Sequence, residues 1–250
     1  MIPKVIHYCW FGRSPLPKSA RKCIASWKKF FPDYEIKEWN EDNFDVNIVP
    51  YTREAYSVGK YAFVSDYARF WILYQYGGLY FDTDVEMIKS MDDIVNMGPF
   101  MGCENRFNPN NKAVMDVASG LGIGAIPNMD IYKEILDYYS TLHFLNADKT
   151  RNETTVVKNT SKVLSQHGLS YTPYIQTVAG IRIYPQEYFS PFDHVTGRLR
   201  ITQNTRSIHW CARTWIDNKN PVRTFVVRLI HRVFGVNSLV WLKKLIQRVK

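Results

Sequence analysis

A chain of 250 residues that is 46% hydrophobic and 15% aromatic carries too many core-forming side chains for a disordered polymer. It suits one large domain, or one domain with an appendage. The formal charge of +9 argues less for a nucleic-acid partner than it first suggests, because residues 218–250 hold eight basic and no acidic side chains and leave 24 Lys and Arg against 23 Asp and Glu elsewhere.

In chain order, "KVIHYCWF" (4–11) is β-branched and aromatic between Pro3 and Gly12, the composition of a buried strand. "PKSARKCIASWKKFFPD" (17–33) places Ala20, Cys23 or Ile24, Trp27 and Phe31 at helical intervals and stops at Pro32. "YEIKEWN" (34–40) alternates as a second strand, so the chain opens like a parallel α/β sheet. Residues 61–76 are helical in period with little polar face, and Gly77 and Gly78 suit the C-terminal cap. "LYFDTDV" then reads as a strand. Further strands are expected in "PFMGCE" (99–104), "GIGAIPN" (122–128) and "GIRIYPQEYF" (180–189), and helices in 130–142 and 154–168. Four scattered cysteines without a C-x-x-C pair suit a reducing compartment. With no signal-like start and no apolar run of about 18 residues, the expectation is a cytoplasmic chain without a membrane span.

The residues that raise a chemical question are Asp82 and Asp84. On a strand they share one face roughly 6.6 Å apart. At an effective dielectric near 20 they would repel by about 2.5 kcal/mol. A hard cation such as Mg²⁺ or Mn²⁺ answers that charge with oxygen ligands and substrate phosphates. An EF-hand loop starting at Asp82 fails, since Met87 stands where Gly is needed and Asp93 where Glu is needed. A glycosidase acid/base pair at that spacing, and a merely solvated acidic turn, remain as alternatives. Ser65, Asp66 and Arg69 lie on the preceding helix, with Asp66 and Arg69 on one face at i, i+3. That pair is either an ordinary ion pair or one that faces a polar ligand.

"IPKVIHYCWFG" (2–12), "SDYARFWILYQYGGLYFDTDVE" (65–86) and "HWCARTW" (209–215) resemble, in order and spacing, the bacterial capsular-polysaccharide and yeast mannosyltransferase-like glycosyltransferases whose sugar-binding region contains a D-x-D motif. The catalytic domains of the clostridial glucosylating toxins are more distantly similar. The resemblance implies a GT-A type fold, a Rossmann-like mixed sheet flanked by helices over residues 1–217. It also implies a nucleotide-sugar donor, Mn²⁺ or Mg²⁺, and retention of anomeric configuration. On this chain it makes Asp84 a metal ligand, His209 a late metal ligand, and Asp82 a group that contacts donor ribose and sugar and shares the metal. Asp66 and Arg69 would hold sugar hydroxyls, Trp10 would stack on the nucleobase, and Thr214 and Trp215 would close over the phosphates. Ser65 and Tyr80 complete the donor-binding set. Without the resemblance, Trp10 reads equally as a core residue, His209 reads more readily as a hydrogen-bonded core residue than as a ligand, and Trp215 reads as a cap on the domain. The acceptor side is unassigned; "ASGLGIGAIPNMD" (118–130) is a candidate wall because its glycines permit close backbone approach.

In residues 218–250, Thr224, Arg228, His231 and Arg232 group on one side of a helical wheel and Phe225, Val226, Leu229, Ile230 and Val233 on the other. Gly235 ends that helix and Ser238 caps a second, again basic and amphipathic. The pattern is that of a monotopic contact with an anionic membrane surface, at about 1 kcal/mol per basic side chain. Packing of both helices on the body is the alternative, and no nucleic-acid module is present. The sequence therefore reads as a metal-dependent retaining hexosyltransferase, peripheral at the inner face of the cell membrane. It would move a sugar from a UDP- or GDP-linked donor to a lipid-linked glycan acceptor in surface polysaccharide synthesis. A metal-dependent glycoside or phosphodiester hydrolase and a non-catalytic nucleotide-sugar-binding module are the rivals.

Overall fold

The computed structural model describes residues 1–108, 115–212 and 221–235. Strand β1 (Val5–Cys9), helix α1 (Lys18–Phe30) and strand β2 (Glu35–Trp39) form the expected opening, with β1 and β2 parallel from Val5 opposite Glu35 to Cys9 opposite Trp39. Helix α1 buries Ala20, Cys23 and Trp27 and ends ahead of Pro32, which disfavours helical geometry at the residue before it. Helix α2 (Pro50–Ser57) was not anticipated; it is short and starts on a proline. Helix α3 (Tyr61–Tyr76) has the expected bounds and buries residues on most sides. Gly77 caps it at φ +64° with its N–H donating to Leu73 O, and a Cβ there would meet Ala125 O at 2.9 Å. That conformation and that contact both select glycine.

Strand β3 (Gly78–Tyr80) lies parallel to β1 on the side away from β2. After it come β4 (Val85–Met87), α4 (Asp92–Val95), β5 (Phe100–Cys103), β6 (Val117–Ala118) and β7 (Ile123–Ala125). Helices α5 (Asp130–Ser140) and α6 (Val156–Gln166) precede β8 (Gln176–Val178) and β9 (Ile181–Tyr184). The short β10 (Phe192–Asp193), β11 (Arg198–Leu199) and β12 (Ser207–His209) follow, and α7 (Pro221–Phe234) closes the described chain. The main sheet runs β2-β1-β3-β7-β5-β9-β8 with β6 beside β5. β2, β1 and β3 are parallel, β5 and β9 are parallel, and the remaining pairs are antiparallel. This is the mixed sheet flanked by helices that the resemblance implies. One apolar core joins α2, α3, α5 and α6 to the sheet through Phe70, Tyr132 and Tyr139; a second joins α1 and α4 through Trp27, Phe31 and Phe81. His7 belongs to this scaffold. Trp39 Nε1–H donates to its Nδ1, so its Nε2–H donates to Gly77 O, each at 3.0 Å. Burial pushes its pKa down to about 4, so it stays neutral.

Two expectations need correction. The D-T-D segment is not strand: β3 stops at Tyr80, β4 starts at Val85, and Val85 N–H closes a turn onto Asp82 O at 3.0 Å. β4 leaves the main sheet to pair with β12, so the chain must bend between them. A turn, not strand alternation, sets the spacing of the two aspartates. The wall expected from 118–130 is present only at its start, where Ala118 and Gly120 line a cleft. A Cβ at Gly122 would meet Phe81 at 2.7 Å and one at Gly124 would meet Phe100 at 2.4 Å, so they serve close packing.

The helix expected over the first part of the tail is α7, but it presents its basic side to the body. Arg228 Nε–H donates to His194 O (3.1 Å), and Arg232 donates to Thr196 O (3.2 Å) and Gly197 O (3.0 Å). The Arg228 guanidinium also lies 5.4 Å from the Phe192 ring centroid. Phe225, Leu229 and Val233 are exposed. The second expected tail helix lies outside the described residues, as does the expected boundary at 217/218. Among the described residues no helix is long and apolar enough to cross a membrane. All four cysteines are free thiols, and Cys9, Cys23 and Cys103 are buried.

Candidate active site

β1 and β3 are neighbours from which the chain leads in opposite directions along the strand order, from β1 to β2 and from β3 toward β5 and β7, and ligands of open α/β sheets bind outside the carboxyl ends of strands at such a point. Trp10 follows β1 and Asp82 follows β3. A cleft of about 560 Å³ opens there, lined by Trp10, Ser65, Asp66, Arg69, Asp84 and His209 among others. Trp10 is half-buried in its wall, with its indole N–H donating to Ser14 O and its backbone N–H to Trp39 O.

Arg69 organises the floor. Its Nε–H donates to Ser65 O (3.0 Å), one terminal nitrogen donates to Ser119 Oγ (3.2 Å), and the other pairs with Asp66 (2.9 Å) and Asp82 (3.3 Å). The guanidinium lies 5.0 Å from the Tyr80 ring centroid, and Tyr80 O–H donates to Asp82 Oδ1 (3.1 Å). The i, i+3 pair read from the sequence is therefore formed, and it is extended to the first aspartate of the D-T-D turn. Burial raises the Asp66 carboxyl to about 7 against the pull of Arg69, with Asp82 adding to the rise. Burial raises Asp82 in the same way, with Arg69 opposing and Asp84 contributing. Arg69 itself stays charged: burial acts to lower its pKa, but Asp82, Tyr80 and Asp66 hold it above its ordinary value.

His209, more than a hundred residues later, reaches the turn because β12 pairs antiparallel with β4 and places His209 opposite Val85. Trp210 N–H donates to Asp84 O (3.0 Å) and locks the register. His209 Nε2 lies 3.1 Å from Asp84 Oδ1, and the other carboxylate oxygen accepts the Ala212 N–H at 2.6 Å. Burial would raise Asp84, but His209 and this N–H bring it down to about 2. Burial would lower His209, but Asp84 lifts it well above its ordinary value. Its Nδ1 lies 3.6 Å from Cys211 Sγ.

One ligand atom from each of Asp82, Asp84 and His209 lies within 4.8 Å of the others. Two carboxylates and an imidazole are a hard-to-borderline set suited to Mn²⁺ or Mg²⁺, and the crowding of like charge at 82 and 84 is what a divalent cation relieves. The residues present fit such an ion.

Of the residues proposed from the sequence, the fold brings Trp10, Ser65, Asp66, Arg69, Tyr80, Asp82, Asp84 and His209 to this one cleft. Thr214 and Trp215 lie outside the described residues. Ser119 and Gly120 fall in the 118–130 stretch expected on the acceptor side but bear on Arg69 and Asp82 instead, and the parts played by Cys211 and the Ala212 N–H were not foreseen. Gly120 O accepts the Asp82 N–H (3.2 Å), and a Cβ at Gly120 would stand 2.0 Å from Asp82 Oδ2. Gly120→Ala is therefore expected to push the Asp82 carboxylate out of place. The cation-dependent thermal shift should fall while far-UV circular dichroism stays native; an unchanged shift would show that the Asp82 position is not needed.

Residues 17–101 match the family model described as "Glycosyltransferase sugar-binding region containing DXD motif". An uncharacterized glycosyltransferase of Acanthamoeba polyphaga mimivirus is 30% identical over 160 residues, covering 62% of this chain and 60% of that protein. Inositol phosphoceramide mannosyltransferase 3 of Schizosaccharomyces pombe is 30% identical over 99 residues, 38% of this chain and 28% of that protein. The chain thus matches less than two thirds of the length of either relative. Among solved structures, the PaToxG glycosyltransferase aligns with a TM-score of 0.49 at 19% identity, over 66% of this chain and 69% of its own. A glycosyltransferase involved in glycosylation of the major capsid of PBCV-1 aligns at 0.49 and 11%, over 85% and 95%. D-T-D at 82–84 lies inside the matched region and both of its aspartates line the cleft, so the similarity to the glycosyltransferase sugar-binding region containing a DXD motif falls on the candidate site itself.

Proposed function

We propose that the chain is a retaining hexosyltransferase that moves a sugar from a UDP- or GDP-linked donor to the hydroxyl of a lipid-linked glycan, using Mn²⁺ or Mg²⁺, in surface polysaccharide synthesis. The observation that carries this is the convergence of Asp82, Asp84 and His209 on one point of a cleft that also holds Trp10 and the Asp66–Arg69 pair. When bound, the ion neutralises charge that develops on the departing nucleoside diphosphate. The protein's own contribution is placement. Arg69 and Tyr80 fix Asp82, while the Ala212 N–H fixes Asp84. Loss of the His209 proton would leave Nε2 and Asp84 Oδ1 as ready ligand atoms. Asp66 and Arg69 at the floor face the sugar, and the exposed side of the Trp10 ring faces the base. The name of the S. pombe relative, an inositol phosphoceramide mannosyltransferase, supports a lipid-anchored acceptor and a hexosyl donor.

A thermal-shift screen of nucleotide sugars with Mn²⁺ tests this reading. A saturating donor at about 100 times its Kd stabilises the fold by about 2.7 kcal/mol. A UDP- or GDP-hexose that raises Tm only in the presence of the cation, and whose sugar then appears on an added glycan, is the expected result. No shift with any nucleotide sugar would reject it.

Contact with a membrane face through the tail is part of the same proposal, but its physical basis changes. Because Arg228 and Arg232 are bonded to backbone carbonyls of the body, the exposed apolar side chains Phe225, Leu229 and Val233 are the groups left to insert. Burial of a Phe or Leu side chain contributes about 1.5–3 kcal/mol. The double variant Phe225→Glu with Leu229→Glu is expected to lower partition to anionic liposomes by roughly tenfold or more. Equal partition of the variant would sink the membrane role.

A further inference from the structure

A second cavity, of about 830 Å³, adjoins the donor cleft and shares Glu104, Thr155 and Val157 with it, so the two are chambers of one groove that meet at Glu104. Both volumes fall in the range of small-molecule sites, roughly 300–1,000 Å³. The donor cleft is accounted for by the residues already described; the second chamber is not.

Glu104 follows the last residue of β5, and its N–H donates to Asp116 O at 2.7 Å, which continues the pairing of β5 with β6. Its backbone is thereby fixed, while its half-buried carboxylate makes no hydrogen bond or ion pair among the described residues. That carboxylate lies within 4.8 Å of Cys211 Sγ and of a ring nitrogen of His194. Cys211 Sγ is 3.6 Å from His209 Nδ1, and His209 Nε2 is 3.1 Å from Asp84. A short series of contacts therefore links the cation-binding residues to Glu104 at the mouth of the second chamber.

The walls of that chamber suit a particular class of ligand. Four carboxylates (Glu104, Asp116, Glu187 and Asp193), three basic side chains (Arg106, Lys158 and Arg200) and His194 line it, so even with the imidazole charged it has no surplus of positive charge with which to hold a second phosphate group. Gln186 and Arg200 make no side-chain hydrogen bond among the described residues, and the Phe107 ring, packed on Tyr171 at 4.8 Å between centroids, adds an aromatic lining. Planar donors and acceptors beside an aromatic ring match the hydroxyls and C–H groups of a neutral sugar.

We infer that this chamber is the acceptor site, that it takes the end of a neutral, hydroxyl-rich saccharide, and that the Glu104 carboxylate accepts the hydrogen bond of the attacking hydroxyl where the two chambers meet. The inference rests on the glycosyltransferase reading above.

The test uses the full chain with Mn²⁺, the nucleotide sugar selected by the thermal-shift screen, and a panel of neutral oligosaccharides as acceptors. Glu104→Ala is expected to retain the nucleotide-sugar thermal shift and to lower transfer by roughly 10- to 100-fold, the loss of one hydrogen bond to a charged acceptor. Gln186→Ala and Arg200→Ala, on the far wall, are expected to raise the acceptor KM severalfold with the donor KM unchanged. Transfer at the wild-type rate in Glu104→Ala, or acceptor KM values unmoved in all three variants, would overturn the inference. Loss of the donor thermal shift in Glu104→Ala would do so as well, by assigning Glu104 to the donor site. A wild-type protein that binds no nucleotide sugar at all would instead reject the reading on which the inference stands.

Discussion

Asp84→Ala should abolish the cation-dependent thermal shift with nucleotide sugar and lower transfer by at least roughly 100-fold, the scale seen when one preorganised electrostatic group is removed. The residue is replaceable without loss of the fold because it sits in the turn between β3 and β4, half-buried, and no core contact depends on it. Three interactions go with it: the 3.1 Å contact to His209, the acceptance of the Ala212 N–H, and one of the three converging ligand atoms. Asp84→Asn preserves shape and the Ala212 contact but removes the charge. If charge at the cation site is the requirement, Asn and Ala should be similarly inactive. If Asn retains transfer, Asp84 positions its neighbours without binding the ion, and transfer by the alanine variant at the wild-type rate would remove the metal assignment altogether.

Arg69→Met is expected to act first on stability. The guanidinium is nearly enclosed, with its side chain 4% exposed, and it holds Asp66 and Asp82 at once. Removing one partner from a buried charge cluster leaves the others uncompensated, at a cost of about 3–5 kcal/mol. The sign of the pH dependence follows from the carboxyls. Asp66 is already raised to about 7 by burial, and without Arg69 it and Asp82 rise further. A carboxyl raised above its unfolded value favours the folded state fully at pH below that unfolded value and loses the benefit as pH rises through the folded pKa. The deficit of Arg69→Met in urea unfolding should therefore be largest at neutral pH and above, and shrink toward pH 4. Adding Asp66→Asn should recover part of it at pH 7. A deficit independent of pH would mean that lost packing, not unpaired charge, is responsible.

Elements with a strong repeating pattern were legible from residues alone. Helices α1 and α3 each bury side chains at helical spacing, and each ends at a signal with a mechanical cause, Pro32 and Gly77. Strands β1 and β2 were marked by composition and by flanking breakers. The strands β4, β10, β11 and β12 were not separately legible, because two or three residues do not establish a period. The error at D-T-D has the same origin. An apolar run leading into "DTDV" looks like one strand, and nothing local reveals that β3 and β4 pair with different partners.

The amphipathic sides of α7 were read correctly, but not which one meets the body. A helical wheel separates Arg228 and Arg232 from Phe225 and Leu229. It does not show that the backbone carbonyls of His194, Thr196 and Gly197 accept from those arginines, which turns the basic side toward the body.

The amino-acid sequence by itself determined the parts of the candidate site that lie close together in the chain. Asp66 and Arg69 share a helix face because helical geometry places i and i+3 together, and the D-x-D motif declares its charge by composition. Only the tertiary structure decided what those parts meet. The β4–β12 pairing carries His209 to Asp84, and the main sheet brings Gly120 against Asp82. The fold also leaves Glu104 between two chambers. These are contacts between residues tens to more than a hundred positions apart, and strand pairing, which local sequence does not encode, sets them.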